Sequence, residues 1–121
     1  MNIELTTKNN LSIAVITGGE KRITDPTAAL DLAMTARYET GSSRLAMDKH
    51  LFPEDFFILS TGLAGEILQK WINYQFKAAI WGNYPRYTSK PLQDFIRESN
   101  RGSDLFFTPT RQEAIDRLSL A

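Results

Sequence analysis

The sequence predicts an α/β fold: a mostly parallel sheet of about five strands with an N-terminal antiparallel hairpin and about four helices, in one domain over residues 1–121. Three observations carry this. Two short β-branched segments near the N-terminus are separated by polar turn residues, which makes a hairpin. Downstream, brief apolar runs alternate with segments of helical period, the pattern of βα units. Each helical segment opens on a start signal, and two of them close on glycine.

In order, Ile3 to Thr7 alternates apolar and polar as a half-buried strand does, and Thr7-Lys8-Asn9-Asn10 supplies the turn. Leu11 to Thr17 reads as the second strand, antiparallel to the first, ended by Gly18-Gly19. Asp25-Pro26 starts a helix, with a capping carboxylate and then proline at the first helical position; it should run to about Thr40 and stop at Gly41. Ala28, Ala29, Leu32, Ala33 and Ala36 share one face, small enough to sit close to a sheet, while Leu30, Met34 and Tyr38 form a second ridge. That ridge either packs on a neighbouring helix or is a partner surface. Arg44 to Asp48 is a short strand. Pro53-Glu54-Asp55 opens one helical turn carrying Phe56 and Phe57.

Ser60-Thr61-Gly62 then precedes what reads as the longest helix, through about Phe76, with Leu63, Ala64, Ile67, Leu68, Trp71, Ile72 and Tyr74 on one half of the wheel. Gln75 is the exception inside that arc. Ala78 to Trp81 is a brief strand without alternation, as suits burial on both faces. Asn83 to Thr88 is a loop. Ser89 caps the next helix, with Pro91 in its first turn, and Asn100-Arg101-Gly102 ends it. Leu105 to Thr108 is the last strand. Thr110-Arg111-Gln112-Glu113 is a capping box, and Ala114, Ile115 and Leu118 are the buried stripe of the final helix.

Composition narrows the function classes. The formal net charge is zero, so no overall field draws the chain to nucleic acid or to an anionic membrane. Lys77, Arg86, Lys90, Arg97 and Arg101 stand against Asp94 and Glu98 in one mildly basic stretch, which reads as a solvated helix face and its loops. Without cysteine there is no disulfide, thiolate nucleophile or cysteine-ligated metal. His50 is the one histidine, too few for a zinc site or a triad on its own, and reads as a loop or packing residue. No cofactor and no metal are expected. Met1-Asn2-Ile3-Glu4 lacks the form of a signal peptide, and no apolar run spans a bilayer, so the expected location is cytoplasmic.

In a parallel α/β sheet, ligands bind beyond the strand C-termini. Thr17 to Arg22, Asp48 to His50, Gly82 to Thr88 and Thr108 to Arg111 should reach that rim, bringing Lys21, Arg22, Lys49, Arg86 and Arg111. Cations beside helix N-termini favour an anion, and Arg22, Arg86 and Arg111 are the candidates. Ser60-Thr61-Gly62-Leu63-Ala64-Gly65 is the other suggestive segment. Its hydroxyls read as a helix cap, an anion site or a phosphorylation switch. It has neither Walker nor dinucleotide spacing. Tyr84 and Tyr87 flank Arg86, weak grounds for nucleic acid on a neutral domain.

Two stretches carry a family resemblance: Thr61 to Tyr74 (TGLAGEILQKWINY) and Tyr87 to Gly102 (YTSKPLQDFIRESNRG). They resemble the bacterial family known as domain of unknown function 4180, and the likeness spans nearly the whole chain. More distantly, the order of elements is similar to STAS domains, the fold of anti-sigma-factor antagonists. The resemblance implies a phosphorylation switch in an Asp-Ser-Ser-Gly-Leu-Gly segment before the second helix. Here that stretch is Leu59-Ser60-Thr61-Gly62-Leu63-Ala64, with Thr61 at the switch position and an extra turn, Leu51 to Ile58, ahead of it.

Three readings follow. The first is a non-catalytic, STAS-like regulatory module that binds a protein partner over the Ser60 to Ala64 edge and is switched by phosphorylation of Ser60 or Thr61. The second is a small-anion or nucleotide-binding protein, or a small enzyme, using Arg22, Arg86 and Arg111. The third is a homo-oligomer built on Leu30, Met34 and Tyr38. A regulatory or binding role ranks above catalysis, because no residue set in the sequence specifies a reaction.

Overall fold

The computed structural model of the chain describes residues 1–18, 21–84 and 89–121. Strands β1 (Asn2–Lys8) and β2 (Leu11–Thr17) pair antiparallel with Lys8 opposite Leu11, leaving a two-residue loop. That loop, Asn9 and Asn10, has φ of 53° and 65°. Two left-handed residues in succession give the turn whose twist matches a hairpin, and asparagine tolerates that region.

From β2 the chain winds regularly through α1 (Pro26–Thr40), β3 (Arg44–Asp48), α2 (Leu63–Asn73), β4 (Lys77–Trp81), α3 (Lys90–Arg101), β5 (Leu105–Thr108) and α4 (Arg111–Leu120). The strand order is β1-β2-β3-β4-β5, with β2 to β5 parallel. Right-handed crossovers between successive neighbours place their helices on one face. The core agrees. Ala14, Ile16, Leu45, Met47, Ala78, Ile80, Leu105 and Phe107 pack with residues of α1, α2 and α3. Ile13, Val15, Ala46, Ala79 and Phe106 pack with Ala114, Ile115 and Leu118 of α4. Both faces of the parallel strands are covered, which is why their sequences lack alternation. Among the described residues, no helix is long and apolar enough to cross a membrane.

Three helix starts are as the sequence reads. The Asp25 carboxylate accepts from Ala28 N at 2.7 Å, the Ser89 hydroxyl from Leu92 N at 3.3 Å, and the Thr110 hydroxyl from Glu113 N at 3.2 Å. The second helix differs. It is shorter than expected, 11 residues against 15 for α1, and is not the longest. Three short 3-10 turns, Lys49–Leu51, Glu54–Phe57 and Leu59–Thr61, precede it and bury Leu51, Phe56 and Phe57. With Phe52 and Trp71 these rings form an aromatic wedge: Phe52 lies 4.6 Å from Phe56 and 6.3 Å from Trp71 between centroids. The Trp71 indole N–H donates to Ala29 O at 3.1 Å, tying α2 to α1. The helix ends at Asn73, before the expected Phe76, because Gln75 turns left-handed at φ 65°. Phe76 N then bonds back to Trp71 O at 2.8 Å. Ile72 and Tyr74, on the expected apolar arc, are therefore partly exposed.

The two edges of the sheet differ. Outside β5, the Asn100 side chain accepts from Phe107 N at 2.8 Å and donates to Phe107 O at 3.2 Å, standing in for a further strand. The Arg117 guanidinium lies 4.4 Å over the Phe106 ring and donates to Asn100 O. The β1 edge has no such side chain bonded to its backbone among the described residues.

Candidate functional site

At the rim beyond the parallel strands, β3 ends in Asp48, whose carboxylate accepts from His50 N at 2.9 Å and meets His50 Nδ1 at 2.8 Å. This starts the Lys49–Leu51 turn. Leu51 O accepts from Ile23 N at 2.9 Å, drawing the segment after β2 across the rim. Lys21 follows it in, and its ammonium donates to Phe52 O at 3.2 Å. Lys21, Lys49 and His50 thereby line one cleft of about 210 Å³ with Phe52, Glu54 and Phe57.

Lys49 is held there by close packing. Its stem lies across Gly82, where a Cβ would stand 2.7 Å from Lys49 Cβ and where φ is +155°, so only glycine suits the position. Its ammonium donates to Asn83 O at 2.6 Å and sits 5.5 Å from the Phe57 ring centre and 5.2 Å from that of Tyr84. Burial pushes the Lys49 pKa below its ordinary value; Glu54 opposes this, and the positive charge of Lys21 adds to it. Tyr84 supports the wall. Its phenol donates to Ile80 O at 2.7 Å, and burial, then the Asp48 charge, hold its pKa far above normal. Two ammonium groups thus share a small cleft with the Glu54 carboxylate and an exposed imidazole, and Asp48 bonds that imidazole.

The structure distributes the sequence candidates unevenly. Among the described residues, Lys21 and Lys49, read as rim cations, are the two that come together. Arg22 is exposed and does not line the cleft. Arg111 donates to Glu4 on β1 at 3.0 Å, an ion pair at the other side of the sheet, and holds the Glu4 carboxyl below its usual range. Arg86 lies outside the described residues. His50 is exposed on its turn, its side chain 80% accessible, and does not pack in the core.

Ser60, Thr61 and Gly62 are all exposed, but the expected hydroxyl cap of α2 is not formed. Gly62, left-handed at φ 78°, stands at the N-cap, with no side-chain cap bond. The Thr61 hydroxyl lies 2.8 Å from both Asp55 O and Ile58 O and accepts from Leu63 N at 3.3 Å, so it closes its own 3-10 turn. On the α1 ridge, Leu30 and Met34 are half-buried against the core, whereas Tyr38 is 84% exposed. Among the described residues, no three His, Cys, Asp or Glu side chains come together as metal ligands.

Lys21 and Lys49 are visible to sequence reasoning as rim lysines. Their convergence is not, because it depends on the Ile23–Leu51 bond between distant segments. A family model described as Domain of unknown function (DUF4180) matches residues 8–118. No curated protein and no solved structure matches the chain.

Proposed function

We propose that this chain, which belongs to the DUF4180 family, is a non-catalytic binding module that takes a small anion, a phosphate or the phosphoryl group of a metabolite, in the Lys21–Lys49–His50 cleft. The observation that carries the reading is the pair of ammonium groups held around one cleft of about 210 Å³, with Lys49 fixed over Gly82 and partly desolvated. The cleft also lies where parallel α/β sheets bind ligands, past the strand C-termini. Titration calorimetry with inorganic phosphate, nucleotides and sugar phosphates tests it, beside thermal shift. A bound ligand at 100 times its Kd adds about 2.7 kcal/mol of stability. Lys49→Met should weaken binding at least tenfold, about 1.4 kcal/mol. A flat response to every phosphate compound ends the proposal.

A second reading, a protein-interaction surface switched by phosphorylation as the STAS resemblance implies, has support from the Leu59–Thr61 turn. Ser60 is exposed on it, beside Ile58 at 49% exposure, whereas the Thr61 hydroxyl is occupied. The switch therefore moves from Thr61 to Ser60. Incubation with cell extract and ATP should add one phosphoryl group by intact mass, and Ser60→Ala should abolish it. Label that survives Ser60→Ala and disappears in Thr61→Ala would refute this assignment.

A further inference from the structure

We infer that β1 is a dimerisation edge, pairing antiparallel with β1 of a second copy about a two-fold axis at Leu5. Lys8 and Leu11 close a two-residue loop, so they form a hydrogen-bonded pair, and so does every second pair back along the ladder: Thr6 with Ile13, Glu4 with Val15, Asn2 with Thr17. The peptide groups of Ile3, Leu5 and Thr7 must then point away from β2. The other strand agrees: Ser12, opposite Thr7, turns its carbonyl away from β1 to accept from the Ser42 hydroxyl at 2.6 Å. Among the described residues, nothing bonds to the outer side of β1.

Exposed edges of this kind are normally blunted by proline, a bulge, an outward charge or a cover. The β5 edge has Asn100. Strand β1 has an unbroken ladder and no proline, and its charged residues, Glu4 and Lys8, alternate onto the α4 face, where Arg111 and Asp116 engage them. On the other face Leu5 is 53% exposed at the middle of the strand.

A second copy satisfies this edge in one register. With Leu5 opposite the partner's Leu5, Ile3 faces the partner's Thr7, and Thr7 the partner's Ile3. All are outward-pointing residues, so each pair exchanges two hydrogen bonds. The exposed leucines cover each other. On the α4 face Glu4 falls opposite the partner's Thr6 and Lys8 opposite the partner's Asn2, so no like charges oppose. Lys8 stands diagonal to the partner's Glu4, an attractive pairing. Moving the axis to Thr6 loses a bonded pair and separates the leucines.

The chain has no cysteine, so a single introduced one reads the register directly. Light scattering across the micromolar range should give a dimer. Leu5→Lys, which sets two ammonium groups face to face, should give a monomer with an unchanged circular dichroism spectrum. Leu5→Cys, whose Cα atoms would stand about 5.5 Å apart across the axis, should form a symmetric disulfide dimer on mild oxidation, while Thr35→Cys on the exposed side of α1 should not. A monomeric wild-type chain overturns the inference. So does a dimer that survives Leu5→Lys and leaves Leu5→Cys uncross-linked, because it would use another surface.

Discussion

Removing the Asn100 side chain should cost more than its place at a helix end suggests. In Asn100→Ala, the N–H and C=O of Phe107 lose their bonds of 2.8 and 3.2 Å. Phe107 is 5% exposed, so neither group is freely hydrated. An unsatisfied buried polar group costs about 1–3 kcal/mol. Taking about 1–1.5 kcal/mol for each, because an edge strand lets some water approach, gives about 2–3 kcal/mol. Alanine's better helix propensity returns about 0.5 kcal/mol. The net loss is about 2 kcal/mol, or roughly 8 °C in Tm for a domain of this size. Urea unfolding followed by circular dichroism measures it directly. Asn100→Asp sharpens the test: its carboxylate still accepts from Phe107 N but cannot donate to Phe107 O, so it should also destabilise the fold. A loss below about 0.5 kcal/mol in Asn100→Ala would show that water replaces the amide fully and that Asn100 does not plug the edge.

Gly82→Ala should lower stability by about 1–3 kcal/mol, since it combines a strained backbone with a Cβ driven into Lys49; the same change should weaken phosphate binding, which calorimetry would register. Gln75→Gly should raise the urea midpoint by the equivalent of about 0.5–1 kcal/mol, because glycine removes the left-handed penalty at φ 65° and returns only part of it as chain entropy. Acid unfolding should depend on the ion pairs of β1. Hydrogen bonding from Lys8 lowers the Asp116 pKa, and hydrogen bonding from Arg111 lowers that of Glu4. The folded state then holds protons more weakly than the unfolded one, so this stability is present above the unfolded pKa of about 4 and is lost as pH falls through the lowered value. Asp116→Asn should make stability fall less steeply between about pH 5 and 3; an unchanged slope would count against the pair.

Elements whose signals are local were legible in the sequence. Asp25-Pro26, Ser89 and Thr110 with Glu113 are caps whose chemistry is complete within four residues, and each stands where the sequence places it. The runs Leu45-Ala46-Met47 and Ala78-Ala79-Ile80 show their burial on both faces through missing alternation. The start of α2 was not legible, because Ser60 and Thr61 fit a cap equally well. What decides is the burial of Phe56 and Phe57, which winds the preceding chain into a 3-10 turn whose carbonyl, Asp55 O, meets the Thr61 hydroxyl. Asn100 shows the same limit. Near a helix end it reads as punctuation, and its bonds to Phe107 exist only once β5 lies beside it. The Lys21–Lys49 cleft likewise depends on a backbone bond between Ile23 and Leu51.

These features share one cause in the winding of the sheet. Strands laid down in sequence order put β1 and β5 at opposite edges, with three crossover helices on one face, so the other face depends on α4. To cover it, α4 must reach from β5 back toward β1. Its first residue, Arg111, binds Glu4, and Asp116 binds Lys8. The C-terminal helix thus occupies the charges of the N-terminal strand and, among the described residues, leaves that strand's outward peptide groups without a bonded partner. It also holds Arg111 in an ion pair, away from the cleft where, among the described residues, Lys21 and Lys49 converge. Cutting the Arg111–Glu4 pair with Glu4→Gln should therefore leave phosphate binding at the cleft unchanged. A change there would mean that Arg111 reaches the ligand and that the binding site extends beyond the Lys21–Lys49 cleft.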